Sequence, residues 1–264
     1  MNLKKIALTV IGGVGYGNIS DTDAIQIKTK YGNVEIQILH PEKSAKIVLI
    51  SRHQGKRHVP PHQVNYKALI AAAQKIGAPV LSVNSVGSMK PEILSGEFVI
   101  PNDFLDLTKS RENTFYDKRA VHVDMSNPYC CRLRRILGFV LEGRKRCYTE
   151  GVYACTEGPR FETKAEIRMY SQFADVVGMT GVPEVVLAKE AGLCYASLCL
   201  VTNPAAGLCP EILTVDEIQE GVVKNQKEVL EVVTALAKVL GNDTESDHGF
   251  GACSCREAVQ NSEI

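Results

Sequence analysis

Net charge is the first thing this chain lacks. Lys and Arg number 30 and Asp and Glu number 30, so no overall field gathers nucleic acid or an anionic membrane surface. The basic runs at Arg132, Arg134 and Arg135 and at residues 144–146 read as solvated faces. A membrane-length apolar run is also missing. The opening MNLKKIALTVIGG places two lysines before an apolar stretch that is too short for a span. That stretch ends in glycines rather than at a small-residue cleavage site, which argues against a secretory signal and for a cytoplasmic, reducing location. In such a compartment the nine cysteines are mostly thiols. Cys130, Cys147, Cys155, Cys194 and Cys199 stand in apolar or strand-like surroundings and read as core filler. No internal repeat and no linker interrupts the chain before residue 241.

What is present is an ordinary globular composition, 45% apolar and 23% charged over 264 residues. That length suits one large domain whose core needs neither disulfides nor metals. Short apolar runs predict strands over Ile6–Ile11, Val34–Leu39, Lys46–Ser51, Val80–Asn84, Phe98–Pro101, Gly151–Cys155 and Leu193–Thr202. Helical spacing predicts helices over Val64–Ile76, Cys130–Leu141, Lys164–Gln172, Val182–Glu190 and Val215–Leu240. The alternation argues for a single α/β domain over residues 1–240, a mixed central sheet flanked by helices on both faces. Residues 241–264 are polar and rich in Gly and Ser, and read as a flexible tail. Its Cys253-Ser254-Cys255 is either a pair of exposed thiols or a strained redox pair.

Several segments carry candidate chemistry. The first strand runs into Gly12-Gly13-Val14-Gly15, either a plain tight turn or a turn whose backbone amides approach a phosphate. It is not a full G-x-G-x-x-G, and no ribose-binding acid is placed as that fingerprint requires, which lowers a nicotinamide-dependent reading. Ser51-Arg52-His53 follows a strand; Arg and His there either hold a dianion jointly or form a surface ion pair. His53, His58 and His62 invite a metal, but their spacing fits no zinc helix motif and no cysteine pair is nearby, so no metal is expected there. Asn84-Ser85-Val86-Gly87-Ser88 ends another strand and reads either as a self-satisfied loop or as a ligand-binding strand end.

GGVG, SRH, PPHQVNY, NSVGS, GPRFET, MTGVPEVVLAKEAG and VTN occur here in one order. Together, over roughly residues 6–240, they resemble the trimeric purine-nucleoside phosphorylase and methylthioadenosine phosphorylase family. The resemblance implies phosphorolysis: inorganic phosphate as co-substrate, a purine nucleoside as substrate, no metal or redox cofactor, and a homotrimer, with pairing into a hexamer left open. It implies that Arg52, His53, Asn84, Ser85 and Thr180 surround phosphate, together with the turn at Val14, where the family usually carries Thr or Ser. Met179 would line the ribose and Phe161 the purine face. Pro61 and Val215 would lie near the 5′ end, and His122 would close a neighbouring subunit's 5′ pocket. Glu162 and Asn203 would read the purine edge and stabilise the leaving base. Asn203 resembles the inosine- and guanosine-cleaving branch, since adenine-cleaving relatives carry Asp there. An amide both donates to and accepts from a 6-oxopurine. The apolar residues at 61 and 215 also suit a methylthio group, so 5′-methylthioinosine joins inosine and guanosine as expected substrates. Methylthioadenosine phosphorolysis, phosphate-independent hydrolysis and non-catalytic nucleoside binding stand as alternatives.

Overall fold

The computed structural model describes residues 6–13, 24–42, 45–53, 59–144, 146–210, 213–242 and 253–257. Four parallel strands make its centre: β1 (Ile6–Gly12), β4 (Ala45–Ser51), β5 (Val80–Ser88) and β11 (Tyr195–Pro204), paired in the order β4-β1-β5-β11. An antiparallel hairpin of β2 (Ile25–Thr29) and β3 (Gly32–Glu42) extends the β4 edge. On the other side, β5 pairs with the short β10 (Val176–Gly178), followed by β9 (Val152–Thr156) and β7 (Asp103–Leu107). β6 (Phe98–Val99) and β8 (Cys147–Tyr148) continue the sheet beyond β11. The sheet is mixed, as expected.

The central strands are apolar on both faces because helices cover both. In β4, Val48 and Ile50 face one core while Ile47 and Leu49 face the other, as a two-residue period requires. The first core takes α1 (Tyr66–Ile76) and α4 (Glu184–Glu190); the second takes α2 (Cys131–Leu141) and α5 (Val215–Asn242). The fifth helix, α3 (Lys164–Tyr170), starts from a capping box in which Thr163 and Glu166 each bond the other's backbone. α1 starts at Asn65, whose side chain accepts from the Ala68 amide, and stops at Gly77 in the left-handed region. Among the described residues no helix is long and apolar enough to cross a membrane.

β5 positions the site. Its residues 80–83 pair with β1, and its residues 87–88 pair with β10. Between the two partners that edge of β5 is open, at Asn84, Ser85 and Val86. The expected end of this strand at Asn84 is therefore four residues short. Asn84–Ser88 is strand rather than loop, because β11 pairs with it along its whole length, from Cys199 opposite Asn84 to Pro204 opposite Ser88. Strands β2, β7, β8 and β10 were not anticipated: they are short or interrupted by charge, and they form only because a neighbour is there to pair with. Of the segment read as a flexible tail, residues 253–257 are described, and Cys255 is only 9% exposed against the second core.

Candidate active site

A cavity of about 330 Å³ opens beside the partner switch of β5. The carboxyl ends of β1, β4, β5 and β11 supply Gly13, Arg52, His53, Ser85 and Asn203, the usual place for a ligand in an open parallel sheet. The turn after β10 adds Met179 and Thr180, the turn after β9 adds Phe161 and Glu162, and Pro61, Leu213, Val215 and Ile218 form an apolar rim. Two residues expected at the site do not line this cavity: Asn84, and His122, which is exposed in an irregular stretch. Val14, and His58, to which no role was given, lie outside the described residues.

Arg52 is 1% exposed and its guanidinium is heavily engaged. Nε donates to Glu184 Oε2 at 2.8 Å, Nη2 to Ser82 Oγ at 2.7 Å and to Ile11 O at 3.1 Å, and Nη1 to Val83 O at 3.1 Å. Burial by itself would lower its pKa, but the charge of Glu184 and the hydrogen bonds to it more than reverse this, so the guanidinium stays charged. Glu184 is fully buried and also accepts from Ser82 Oγ at 2.6 Å and Tyr195 Oη at 2.9 Å. Its carboxylate is thus satisfied on both oxygens, as a buried charge must be.

Asn84 stands behind the wall rather than in it. Its Nδ2 donates to Ser82 Oγ and Ser197 Oγ, and its Oδ1 accepts from Thr180 Oγ1 at 2.9 Å. A continuous hydrogen-bonded path therefore links the Thr180 hydroxyl, which faces the cavity, to the Arg52–Glu184 pair. The expectation that Asn84 touches phosphate directly becomes one of positioning: its amide is spent orienting Thr180. His53 Nδ1 donates to the Val59 carbonyl at 2.7 Å, which fixes that nitrogen as the protonated one because a carbonyl can only accept.

The turn at residues 178–181 is held by Tyr153, which is buried and whose Oη accepts from the amides of Thr180 and Gly181 at 3.3 Å each. Burial keeps this phenol well above its ordinary pKa and hence neutral. A Cβ at Gly178 would collide with the same hydroxyl, so only glycine lets the chain pass. Gly158, at φ 64°, is likewise required: a Cβ there would sit 2.6 Å from Met179 Sδ.

At the other end, Glu162 Oε1 accepts from Thr156 Oγ1 at 2.5 Å. Asn203 is 5% exposed; its Oδ1 accepts from Thr202 Oγ1 at 2.8 Å and its Nδ2 donates to the Pro204 carbonyl at 2.8 Å. Each end of that amide keeps capacity for one more bond, one acceptance and one donation. The β-bulge between Val201 and Asn203 brings the side chain to the cavity opposite Gly87. Sequence reasoning missed Glu184, Ser82, Thr156, Thr202 and Tyr153. Glu184 left a signal, a lone acid inside the apolar run VPEVVLA; the hydroxyls left none.

The family model of the phosphorylase superfamily matches residues 7–238. The chain belongs to that superfamily. A probable S-methyl-5′-thioinosine phosphorylase of Methanosarcina acetivorans is 50% identical over 96% of this chain and 95% of its own length. The 6-oxopurine nucleoside phosphorylase of Pyrococcus furiosus is 36% identical over 96% of this chain and 97% of its own. Among solved structures, the methylthioadenosine phosphorylase of Schistosoma mansoni in complex with adenine superposes with a TM-score of 0.87 at 28% identity, covering 98% of this chain and 99% of that one. The chain is thus a nucleoside phosphorylase-type enzyme, on the 6-oxopurine and methylthioinosine side of the superfamily.

Proposed function

We propose that this phosphorylase cleaves 6-oxopurine nucleosides with inorganic phosphate, releasing the base and a ribose 1-phosphate in cytoplasmic purine salvage, and that its preferred substrate carries a 5′-methylthio group. A phosphate oxygen bonds to C1′ as the C1′–N9 bond breaks. The bonding electron pair leaves with the purine, which gains a proton, and the sugar passes through an oxocarbenium-like state. No atom changes redox state, so the reaction calls on no redox cofactor.

The observation that carries the base preference is Asn203. Thr202 and Pro204 hold its amide in one orientation, leaving one donor and one acceptor for a ring that offers O6 and N–H together. In the proposal Glu162, steadied by Thr156, shares the purine edge and Phe161 covers the ring. Arg52, His53, Ser85, Thr180 and Val14 surround phosphate in this reading, with Gly13 lining the cavity and Asn84 acting through Thr180. Met179 lies against the ribose, while Pro61 and Val215, with Leu213 and Ile218, make an apolar seat for methylthio rather than hydroxyl. Exposed His122 reaches a neighbouring copy in a homotrimer. The contribution of these groups is mainly positioning and electrostatic preorganisation.

The deciding assay follows base release from inosine and 5′-methylthioinosine with and without phosphate. Release that requires phosphate and yields the 1-phosphate supports the proposal; equal turnover without phosphate would establish hydrolysis instead.

A further inference from the structure

Outside the cavity, the most concentrated chemistry among the described residues is sulfur. Cys130, Cys194, Cys253 and Cys255 bring four Sγ atoms within 4.8 Å of one another. They come from three separate parts of the chain. Cys130 is the N-cap of α2, Cys194 immediately precedes β11, and the other two belong to the segment that follows α5. None of them lines the active-site cavity.

We propose that these four cysteines form a tetrathiolate site for one soft divalent cation of the zinc class, which fastens the C-terminal segment to the core. Four thiolates at about 2.3 Å from a zinc ion lie about 3.8 Å apart at the corners of a tetrahedron. Cys130 and Cys253 are already 3.6 Å apart, and Cys194 and Cys253 3.0 Å, so shifts within side-chain reach complete the geometry. No carboxylate or imidazole belongs to the group, and an all-sulfur set selects zinc over magnesium or calcium.

Half of the site is built into the fold. The Cys130 amide donates to the Tyr195 carbonyl at 2.8 Å, and the Cys194 carbonyl accepts from Val80 at 2.8 Å, so helix and sheet hold these two ligands in a fixed relation. Two sulfurs also accept backbone N–H groups, Cys130 from Leu133 at 3.5 Å and Cys253 from Cys255 at 3.3 Å, the outer-shell bonds that spread thiolate charge at metal centres. Each ligand gives its thiol proton to solvent as it binds. Spacing rules miss such a site because two of its ligands are single cysteines far from each other and from the Cys-Ser-Cys.

The test is metal analysis of the full chain, expressed with added zinc and purified anaerobically with a phosphine reductant. Wild type should carry about one zinc per chain. Cobalt should substitute with the intense absorption of a tetrahedral thiolate site. The double variant Cys253→Ser/Cys255→Ser should lose the metal and its share of thermal stability while retaining phosphorolysis. Cys131→Ser, at an exposed cysteine outside the cluster, should change neither. Because the double change lies after α5 and outside the cavity, loss of metal with activity intact cannot be laid to misfolding. The proposal is overturned if reduced wild type binds no more zinc or cobalt than the double variant. It is equally overturned if cells lysed without reductant into an alkylating agent and then denatured yield a mass showing the four cysteines joined as disulfides.

Discussion

The cavity has two ends built on opposite principles. At the Arg52 end, charge is buried and satisfied inside the protein: Arg52, Glu184, Ser82, Asn84 and Thr180 form one closed network. At the α5 end, Pro61, Leu213, Val215 and Ile218 offer apolar contact, and Val215 is 56% exposed. The first end cannot change without cost to the fold, since every member holds another. The second, an apolar rim with no buried charge to satisfy, is freer to vary. On the proposed function, the shared chemistry therefore belongs at the first end and substrate choice towards the second, with Asn203 and Glu162 between them.

The largest effect is expected at Glu184. Glu184→Gln keeps the shape but leaves the Arg52 charge buried without its counter-ion, a change that costs about 3–5 kcal/mol. Urea or thermal unfolding should show this loss together with near-complete loss of phosphorolysis. The double variant Arg52→Met/Glu184→Leu separates the two roles. It should recover much of the stability, because a buried pair is replaced by apolar groups of similar volume, and it should remain inactive. A stable and active Glu184→Gln enzyme would show that the network is not what supports this end.

Asn203→Asp comes next. Wild type should cleave inosine and methylthioinosine far better than adenosine and methylthioadenosine. In wild type an aminopurine leaves a buried group unpaired, a penalty of about 1–3 kcal/mol or roughly tenfold to a hundredfold in kcat/KM. The aspartate accepts from an amino group and should move the ratio towards the aminopurines by a similar factor. The structure adds a condition: the oxygen replacing Nδ2 would face the Pro204 carbonyl at close range. Two acceptors there repel unless the carboxyl keeps its proton. The variant should therefore lose stability as pH rises and its carboxyl ionises. An unchanged nucleoside ratio would break the division of labour between the two ends.

The same division explains what could be read from the sequence. The central strands and main helices were legible because apolar period and length mark them, as in LTVIG and the long stretch from Val215. The cavity-facing residues were legible chiefly through a resemblance, since Arg52 beside His53 would otherwise pass for a surface pair. What stayed hidden was partnership. Nothing local announces that Ser82 and Glu184, 102 residues apart, share a hydrogen bond. Nor does anything local show that the edge of β5 changes partner from β1 to β10. The resemblance implies that Asn84 touches phosphate; the strand's alternation turns its amide to Ser82, Ser197 and Thr180.

Thr156→Val tests whether orienting Glu162 matters on its own. The hydroxyl–carboxylate bond is charge-assisted, and hydrogen bonds to charged groups contribute about 1.5–3 kcal/mol. Part of that is recovered if Glu162 finds water, so a fall in kcat/KM of about tenfold is expected, falling more on kcat than on KM if the contact tightens in the transition state. Stability should change less than in Glu184→Gln. A loss of folding without a change in kinetics would place Thr156 with the first end rather than between the two.

The smallest effect is expected at Val215, and it bears most directly on the 5′ group. Val215→Ala removes two methyl groups, about 0.8 kcal/mol each when fully buried. With 56% of the side chain exposed, the contact available to a ligand is about half of that, a few-fold in kcat/KM at most. The loss should fall on methylthioinosine and leave inosine nearly unchanged, because a 5′-hydroxyl gains little from an apolar wall. Val215→Ser sharpens the comparison: it should cost methylthioinosine about as much and leave inosine level or improved. The two substrates are to be measured side by side in saturating phosphate, with unfolding followed in parallel to show that the fold is untouched. If both substrates fall equally, Val215 acts through the placement of α5 rather than by contact, and the apolar seat for the methylthio group must be sought at Pro61 and Ile218.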